Sequence, residues 1–152
     1  MSTELRDLYQ EVILDHSKKP RNFRVLEHAD RKAEGFNPLC GDRLTLYLEL
    51  DGERVKNIGF QGAGCAIFKA SASMMTEAVK GKTKAETEQL FQKVHHMLSR
   101  DPSASFEPAG LGKLAAFSGV SEFPVRVKCA TLAWHTLRSG LAAKKETVST
   151  EE

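Results

Sequence analysis

The feature that most constrains the fold is a β-hairpin signal over residues 44–60. Leucines alternate with more polar residues up to the dipeptide Asp51–Gly52, which favours a tight hairpin turn, and a second apolar run follows it. This alternation has the period of a strand that is buried on one face. A chain built on such a hairpin needs other elements to cover that face. The apolar positions are Leu44, Leu46, Leu48, Leu50, Val55, Ile58 and Phe60.

Helices that could cover the hairpin are predicted on both sides of it. Thr83 and Glu86 have the spacing of a capping box, which marks a helix start, and Gly81 is placed to end the preceding helix. The predicted helices run from Thr3 to about Ser17, from Cys65 to Gly81, from Thr83 to Asp101, over a short stretch at 111–119, and from Pro124 onwards.

Residues 16–40 have little periodicity and several helix- and strand-breaking residues, so they predict an extended loop. We expect a third strand near residues 22–29. The predicted fold class is therefore α+β, with a small antiparallel β-sheet packed against helices and a metal site at one end. Residues 1–145 are predicted to form a single domain, and the polar residues 146–152 a disordered tail.

Composition places the chain among ordinary globular proteins. Its 152 residues are 41% hydrophobic and 28% charged, which is enough apolar sequence for a core. The net charge of +2 is too small to indicate a nucleic-acid or anionic-membrane surface. No apolar run approaches the roughly 18 residues that span a bilayer, and the first residues lack a signal-peptide pattern. We therefore predict a cytoplasmic protein that binds neither nucleic acid nor membrane.

The three cysteines all lie at the ends of predicted elements. Cys40 precedes a strand, whereas Cys65 and Cys129 each open a helix. Unpaired N–H groups and the helix dipole stabilise a thiolate at a helix start, which lowers its pKa from about 8.5. An odd number of cysteines excludes a complete disulfide framework. The roles that remain for the three cysteines are metal binding, nucleophilic chemistry or burial in the core.

Cys40 and Asp42 flank Gly41, and a glycine at this position allows a tight turn that brings both side chains to one ion. With Cys65 and Cys129 they form a Cys₃Asp set, whose donors are within the ligand range of tetrahedral Zn²⁺. The spacing itself leaves two interpretations open, a metal or reactive site and a group of small buried residues, because the chain has no close C-x-x-C pair.

Four blocks of sequence carry a resemblance to a known family. They hold all three cysteines and span most of the chain. Through them the chain resembles the NifU N-terminal/IscU family of iron–sulfur cluster assembly proteins, which implies a SufE/NifU-like sandwich fold. The blocks are "LYQEVILDHSKKPRN" near the start, "NPLCGD" at 37–42, "GAGCAIFKASASMMTEAVKGKT" at 62–83 and "VRVKCATLAW" at 125–134.

Two features of the chain differ from the IscU pattern and resemble the SufU branch of this family. Lys128 precedes the third cysteine, where IscU-type scaffolds have a histidine, and the segment before it is longer than in a typical IscU. The resemblance implies that Cys40, Asp42, Cys65 and Cys129 hold zinc, with Lys128 as a neighbour. It also implies that Cys40 accepts persulfide sulfur from a SufS-type cysteine desulfurase and delivers it toward a downstream iron–sulfur scaffold.

Three functional hypotheses follow from the resemblance. The favoured one is zinc-dependent sulfur transfer, in which the chain acts as a co-substrate of the desulfurase, and this leaves open whether it counts as an enzyme. In the first alternative the same residues hold iron or a transient [2Fe–2S] cluster, as in an IscU-type scaffold. In the second the zinc is structural, and the chain activates the desulfurase by contact alone.

Overall fold

The computed structural model describes residues 3–144 and 147–150. Along the chain, one helix precedes a continuous meander of three strands, the other helices follow it, and a short strand comes after the last helix. The elements are α1 Thr3–Lys18, β1 Arg31–Asn37, β2 Asp42–Asp51, β3 Arg54–Ala63, α2 Ala66–Val79, α3 Lys84–Ser99, a 3₁₀ helix Gly112–Glu122, α4 Pro124–Leu141 and β4 Val148–Ser149.

The described strands form a four-stranded sheet in the order β3-β2-β1-β4. β2 is antiparallel to both of its neighbours, whereas β4 runs parallel to β1, so the sheet is mixed. The α+β class is confirmed, with helices packed on one face of the sheet. On that face the leucines at 44, 46 and 48 are at most 2% exposed. None of the described helices has the length and hydropathy needed to cross a bilayer.

The predicted hairpin is confirmed, and it is longer than its apolar pattern. β2 and β3 pair from Arg43 opposite Ala63 to Asp51 opposite Arg54. The turn between them contains Gly52, whose positive φ of 60° is readily adopted by glycine. Residues 61–63 have no apolar alternation, so their part in β3 was not visible in the sequence. They bring the chain to Cys65 beside the start of β2.

The prediction of a third strand near residues 22–29 is wrong, because the strand is β1 at Arg31–Asn37. In the predicted region the structure has an isolated bridge between Phe23 and Phe60. The inward positions of β1 are Ala33, Gly35 and Asn37, and none of them is a large apolar residue. The two-residue hydrophobic period that reveals strands is therefore missing here. The predicted loop over 16–40 is shorter for the same reason.

Gly35 allows α4 to pack directly on β1. A Cβ atom at this position would lie 2.2 Å from Thr136 Oγ1 and 3.0 Å from Leu132 Cδ1, both on α4. We expect Gly35→Ala to lower the free energy of unfolding by about 1–3 kcal/mol, measured by chemical denaturation, because the helix must move away from the sheet. Gly119→Ala is the matched control, since a Cβ there meets no atom within 4 Å. Equal stability of the two variants would contradict this packing.

Most predicted helix boundaries are confirmed. Thr83 and Glu86 form the predicted capping box, in which each side chain accepts a hydrogen bond from the other residue's backbone N–H. Cys65 is the N-cap of α2, and Gly81 has a positive φ of 86° just beyond the end of that helix. The short helix expected at 111–119 is a 3₁₀ helix that extends to Glu122.

Part of the predicted disordered tail, 146–152, is described by the structure. Val148 pairs with Gly35 of β1, and the Thr150 backbone N–H donates to Phe36 O over 3.2 Å. This differs from the predicted disorder, because an edge strand offers unpaired backbone groups that a polar segment can satisfy without burying apolar area. Residues 145, 146, 151 and 152 lie outside the described residues, and the domain boundary at 145 stays a prediction.

Candidate metal centre

The candidate site lies at one end of the sheet, where the turn between β1 and β2 meets α2 and α4. The Cys40 Sγ, a carboxylate oxygen of Asp42 and the Cys129 Sγ all lie within 4.8 Å of one another. The two sulfur atoms are 3.4 Å apart. Cys129 is 89 positions from Cys40 in the chain, so the fold itself brings it to the other two residues.

Cys40 lies in the short turn between β1 and β2, and its side chain is exposed. The backbone N–H of Gly41 closes this turn by donating to Asn37 O over 2.8 Å. Gly41 has a positive φ of 73°, a conformation that glycine adopts without the steric cost of a Cβ. The turn therefore brings Cys40 back toward Asp42, as the spacing of the motif predicts.

Asp42 is the first residue of β2 and is fully buried. Its Oδ1 accepts the backbone N–H of Cys65 over 3.0 Å, and its Oδ2 accepts Asn37 Nδ2 over 3.1 Å. These two donors fix the carboxylate, but they are neutral groups and do not cancel its charge. Burial of an ionised carboxylate is unfavourable without a cation, so a metal ion between Asp42 and the thiols would complement it.

Cys65 is half-buried and lies at the start of α2, as predicted. Its Sγ accepts the backbone N–H of Phe68 over 3.5 Å, which is an N-cap hydrogen bond. Cys65 does not belong to the group within 4.8 Å, but its backbone N–H donates to Asp42, and its presence near Cys129 raises the pKa of the Cys129 thiol. The structure thus gathers three of the four predicted ligands closely and places the fourth beside them.

Cys129 lies inside α4, and the prediction that it opens this helix is wrong. The helix begins at Pro124, which suits a first helical position because it has no N–H to leave unpaired. Cys129 is only 2% exposed. Burial raises the pKa of its thiol, and hydrogen bonds with Cys40 and Cys65 raise it further. This increase in pKa is opposite to the decrease expected at a helix start. A bound cation would counteract the increase, because it stabilises the thiolate.

Asn37 is a fully buried residue of the site that the sequence analysis did not single out. Its Nδ2 lies 3.1 Å from Asp42 Oδ2 and 3.6 Å from Cys129 Sγ. Its Oδ1 accepts the backbone N–H of Leu39 over 3.3 Å and the Thr150 hydroxyl over 3.0 Å. Asn37 and Pro38 form an Asn–Pro turn signal shortly before Cys40, and Asn37 is also the first residue of the block "NPLCGD", but neither feature indicates a contact with Asp42 or Cys129.

Exposed apolar side chains flank the site. Leu39, directly before Cys40, is 55% exposed, and Phe123 and Val125 at the start of α4 are also exposed. Arg126 lies over the Phe123 ring at 4.5 Å. Lys128 is half-buried and directly precedes Cys129 on α4. Its assignment as a neighbour of the site stays a prediction.

The donor set fits a tetrahedral metal ion. With Zn–S bonds of about 2.3 Å, tetrahedral geometry separates two ligand sulfurs by about 3.8 Å. The Cys40 and Cys129 sulfurs, 3.4 Å apart, therefore need only a small displacement to share one ion. Thiolates and a carboxylate suit zinc, and thiolates also suit iron–sulfur clusters, so the donor types leave the choice of metal open.

The fold and the geometry together define a class of protein. It is a small α+β protein with an open cysteine–aspartate site at the end of its sheet. The NifU-like N terminal domain matches residues 8–142, and the chain belongs to this family. The resemblance predicted from the four sequence blocks is thus confirmed, and it places the chain among iron–sulfur cluster assembly proteins.

Relatives from both branches of the family are similar to the chain. The zinc-dependent sulfurtransferase SufU of Bacillus subtilis is 42% identical over 147 residues, which cover 95% of this chain and 96% of the relative. The iron–sulfur cluster assembly scaffold protein IscU of Streptococcus pyogenes is 37% identical, covering 91% and 86%.

A solved structure has the same fold. It is a candidate iron–sulfur cluster assembly scaffold protein for the SUF system from Fervidobacterium islandicum, with a TM-score of 0.81 and 36% identity. The match covers 92% of this chain and 99% of that one. The fold therefore agrees with the family over nearly the whole length of both chains.

Proposed function

We propose that this chain accepts persulfide sulfur on Cys40 from a SufS-type cysteine desulfurase and delivers it toward iron–sulfur cluster assembly. Zinc is held by Cys40, Asp42, Cys65 and Cys129 in this proposal. The observation that carries it is an exposed thiol, Cys40, within 4.8 Å of two buried donors. The 42% identity to a zinc-dependent sulfurtransferase supports it.

The surroundings of the three thiols favour Cys40 as the acceptor. The Sγ of Cys65 accepts a backbone N–H, and the Sγ of Cys129 accepts the Asn37 amide. Donors of this kind stabilise the thiolate and reduce its nucleophilicity. Among the hydrogen bonds of the described residues, Cys40 Sγ takes part only in the contact with the Cys129 thiol. Cys40 is therefore both the most accessible and the least deactivated of the three.

The transfer step is a thiol–disulfide type exchange. The Cys40 thiolate attacks the outer sulfur of the desulfurase persulfide, and a new S–S bond forms on Cys40. The S–S bond of the desulfurase breaks, its electron pair leaves with the desulfurase thiolate, and the persulfide proton stays on the transferred sulfur. Zinc, when bound, favours thiolate over thiol in this site and protects it from oxidation. The short turn around Gly41 lets Cys40 move without disrupting β2.

The apolar rim of the site supports a protein partner. Leu39 and Val125 are exposed beside Cys40 and Cys129, where a desulfurase would have to dock to present its persulfide. Exposed apolar side chains around a reactive group are typical of an interaction surface, because docking removes them from water and excludes water from the reaction.

Metal content tests the proposal against the scaffold alternative. Protein purified without added metal is expected to contain stoichiometric zinc and to be colourless, because the donor set suits zinc and zinc has no visible charge-transfer bands. Elemental analysis and absorption spectra measure this. After incubation with a SufS-type desulfurase and L-cysteine, peptide mass spectrometry without reductant should find the added sulfur on Cys40.

Two outcomes would contradict the proposal. Iron and sulfide with visible absorbance in the purified protein would favour a transient [2Fe–2S] cluster and the scaffold function. Added sulfur on Cys65 or Cys129 instead of Cys40 would remove the assigned acceptor even if zinc were present.

A further inference from the structure

Asn37 links most parts of the candidate site through one side chain. An asparagine amide has two N–H donors and an oxygen with two acceptor positions. In Asn37 all four are used, since Nδ2 donates to Asp42 and Cys129 while Oδ1 accepts from Leu39 and Thr150. A buried polar group with every position satisfied has a single preferred orientation.

We propose that Asn37 is a positioning residue that holds Asp42 and Cys129 in their ligand arrangement, and that Thr150 near the C-terminus sets its orientation. The inference rests on the zinc ligand set of the proposed function. It adds that two residues that bind no metal themselves, Asn37 and Thr150, control how these ligands are arranged.

The direction of the amide follows from its partners. The Leu39 backbone N–H can only donate, so the atom it meets must be the amide oxygen of Asn37. The Thr150 hydroxyl reinforces this choice by donating to the same oxygen over 3.0 Å. With Oδ1 held on that side, both N–H groups point toward Asp42 Oδ2 and Cys129 Sγ. Rotation of the amide would put its oxygen against the carboxylate and remove both hydrogen bonds.

The same side chain also shapes the turn that carries Cys40. The contact between Asn37 Oδ1 and the Leu39 N–H is an Asx-type turn, and the Asn37 carbonyl accepts the Gly41 N–H over 2.8 Å. Cys40 lies between these two contacts. Asn37 thus restrains the turn that carries Cys40 on one side and the buried residues Asp42 and Cys129 on the other.

Strand β4 brings Thr150 to this amide. Ser149 pairs with Phe36 in β1, and the Thr150 N–H donates to Phe36 O. These backbone contacts place the half-buried Thr150 side chain beside Asn37, although the two residues are separated by 113 positions in the chain. A segment outside the cysteine motifs therefore reaches the residues that surround the metal site.

Zinc affinity and the spectrum of the cobalt-substituted protein test this inference. Asn37→Ala is expected to weaken zinc binding by about 10- to 100-fold, as loss of a group that orients metal ligands commonly does. Thr150→Val keeps the shape of the side chain but removes its donor, and should weaken binding by about fivefold, the effect of one hydrogen bond. Competition with a chelator measures both. The charge-transfer and d–d bands of bound Co²⁺ should shift in each variant.

Thr147→Val is the matched control, because it makes the same substitution at an exposed position of the same segment. It should leave affinity and spectrum unchanged. Wild-type affinity and an unaltered cobalt spectrum in Thr150→Val, or a loss of thermal stability alone, would overturn the inference even if Asn37→Ala failed to fold. A wild-type chain that bound neither metal would instead overturn the proposed ligand set, and the inference with it.

Discussion

The Cys40→Ala variant is expected to lose all stimulation of a SufS-type desulfurase and to carry no persulfide. Cys40 is the exposed thiol of the site, and its replacement removes the atom that attacks the persulfide in the proposed transfer while leaving the buried Asp42 and Cys129 in place. Sulfide or alanine production from L-cysteine measures the stimulation. Peptide mass spectrometry without reductant measures the persulfide.

The controls for this variant separate chemistry from folding and docking. Ser105→Ala replaces another exposed side chain of similar size, in the loop between α3 and the 3₁₀ helix, and should keep full stimulation. Cys40→Ala should retain its circular dichroism spectrum and its binding to the desulfurase when zinc is saturating, because an exposed side chain contributes little to the core. Stimulation that survives in Cys40→Ala would contradict sulfur transfer and favour activation by contact alone.

The elements that the sequence predicted well are those with local signals. The capping box at Thr83 and Glu86 and the turn at Asp51–Gly52 act within a few residues, so their effect does not depend on the rest of the fold. The leucine alternation of β2 likewise defines its buried face by itself. Such features are readable because local preference and tertiary packing agree.

The elements that were missed depend on partners distant in the chain. β1 presents Ala33 and Gly35 to the core because α4 approaches it closely, and this approach is not visible in residues 31–37 alone. β4 forms because β1 offers a free edge, and a segment of two residues has too little local signal to predict a strand without that partner. The last helix was predicted from Pro124 onwards, and α4 begins there, so Cys129 lies more than one turn inside the helix and not at its start.

The candidate site shows the same division. The closeness of Cys40 and Asp42 follows from the tight turn at Gly41, which their spacing predicts. The approach of Cys129 requires α4 to pack across the sheet, so only the family resemblance placed it there. Asn37 was missed because its partners come from three separate segments, and the residues next to Asn37 in the sequence do not indicate these contacts.

Gly64→Ala is expected to weaken zinc binding by about 10- to 100-fold, because it displaces a group that must be precisely oriented. A Cβ at residue 64 would lie 2.3 Å from Asp42 Oδ1 and 2.8 Å from the Phe68 ring. Phe68 is fully buried, and protein cores are close-packed, so we expect the Asp42 carboxylate to shift instead of the ring. The shift also strains the hydrogen bond from the Cys65 N–H that holds Oδ1.

Chelator competition measures the zinc affinity. Denaturation of the metal-free protein shows whether Gly64→Ala lowers the stability of the fold or changes only the metal site. Gly119→Ala is again the control, since it adds the same methyl group in open space and should keep wild-type affinity. Gly64 does not have a positive φ, so backbone strain would not explain a loss in Gly64→Ala. Wild-type zinc affinity in Gly64→Ala would mean that the Asp42 carboxylate is free to move without consequence. It would then have no place among the ligands, and the site would reduce to its three thiols.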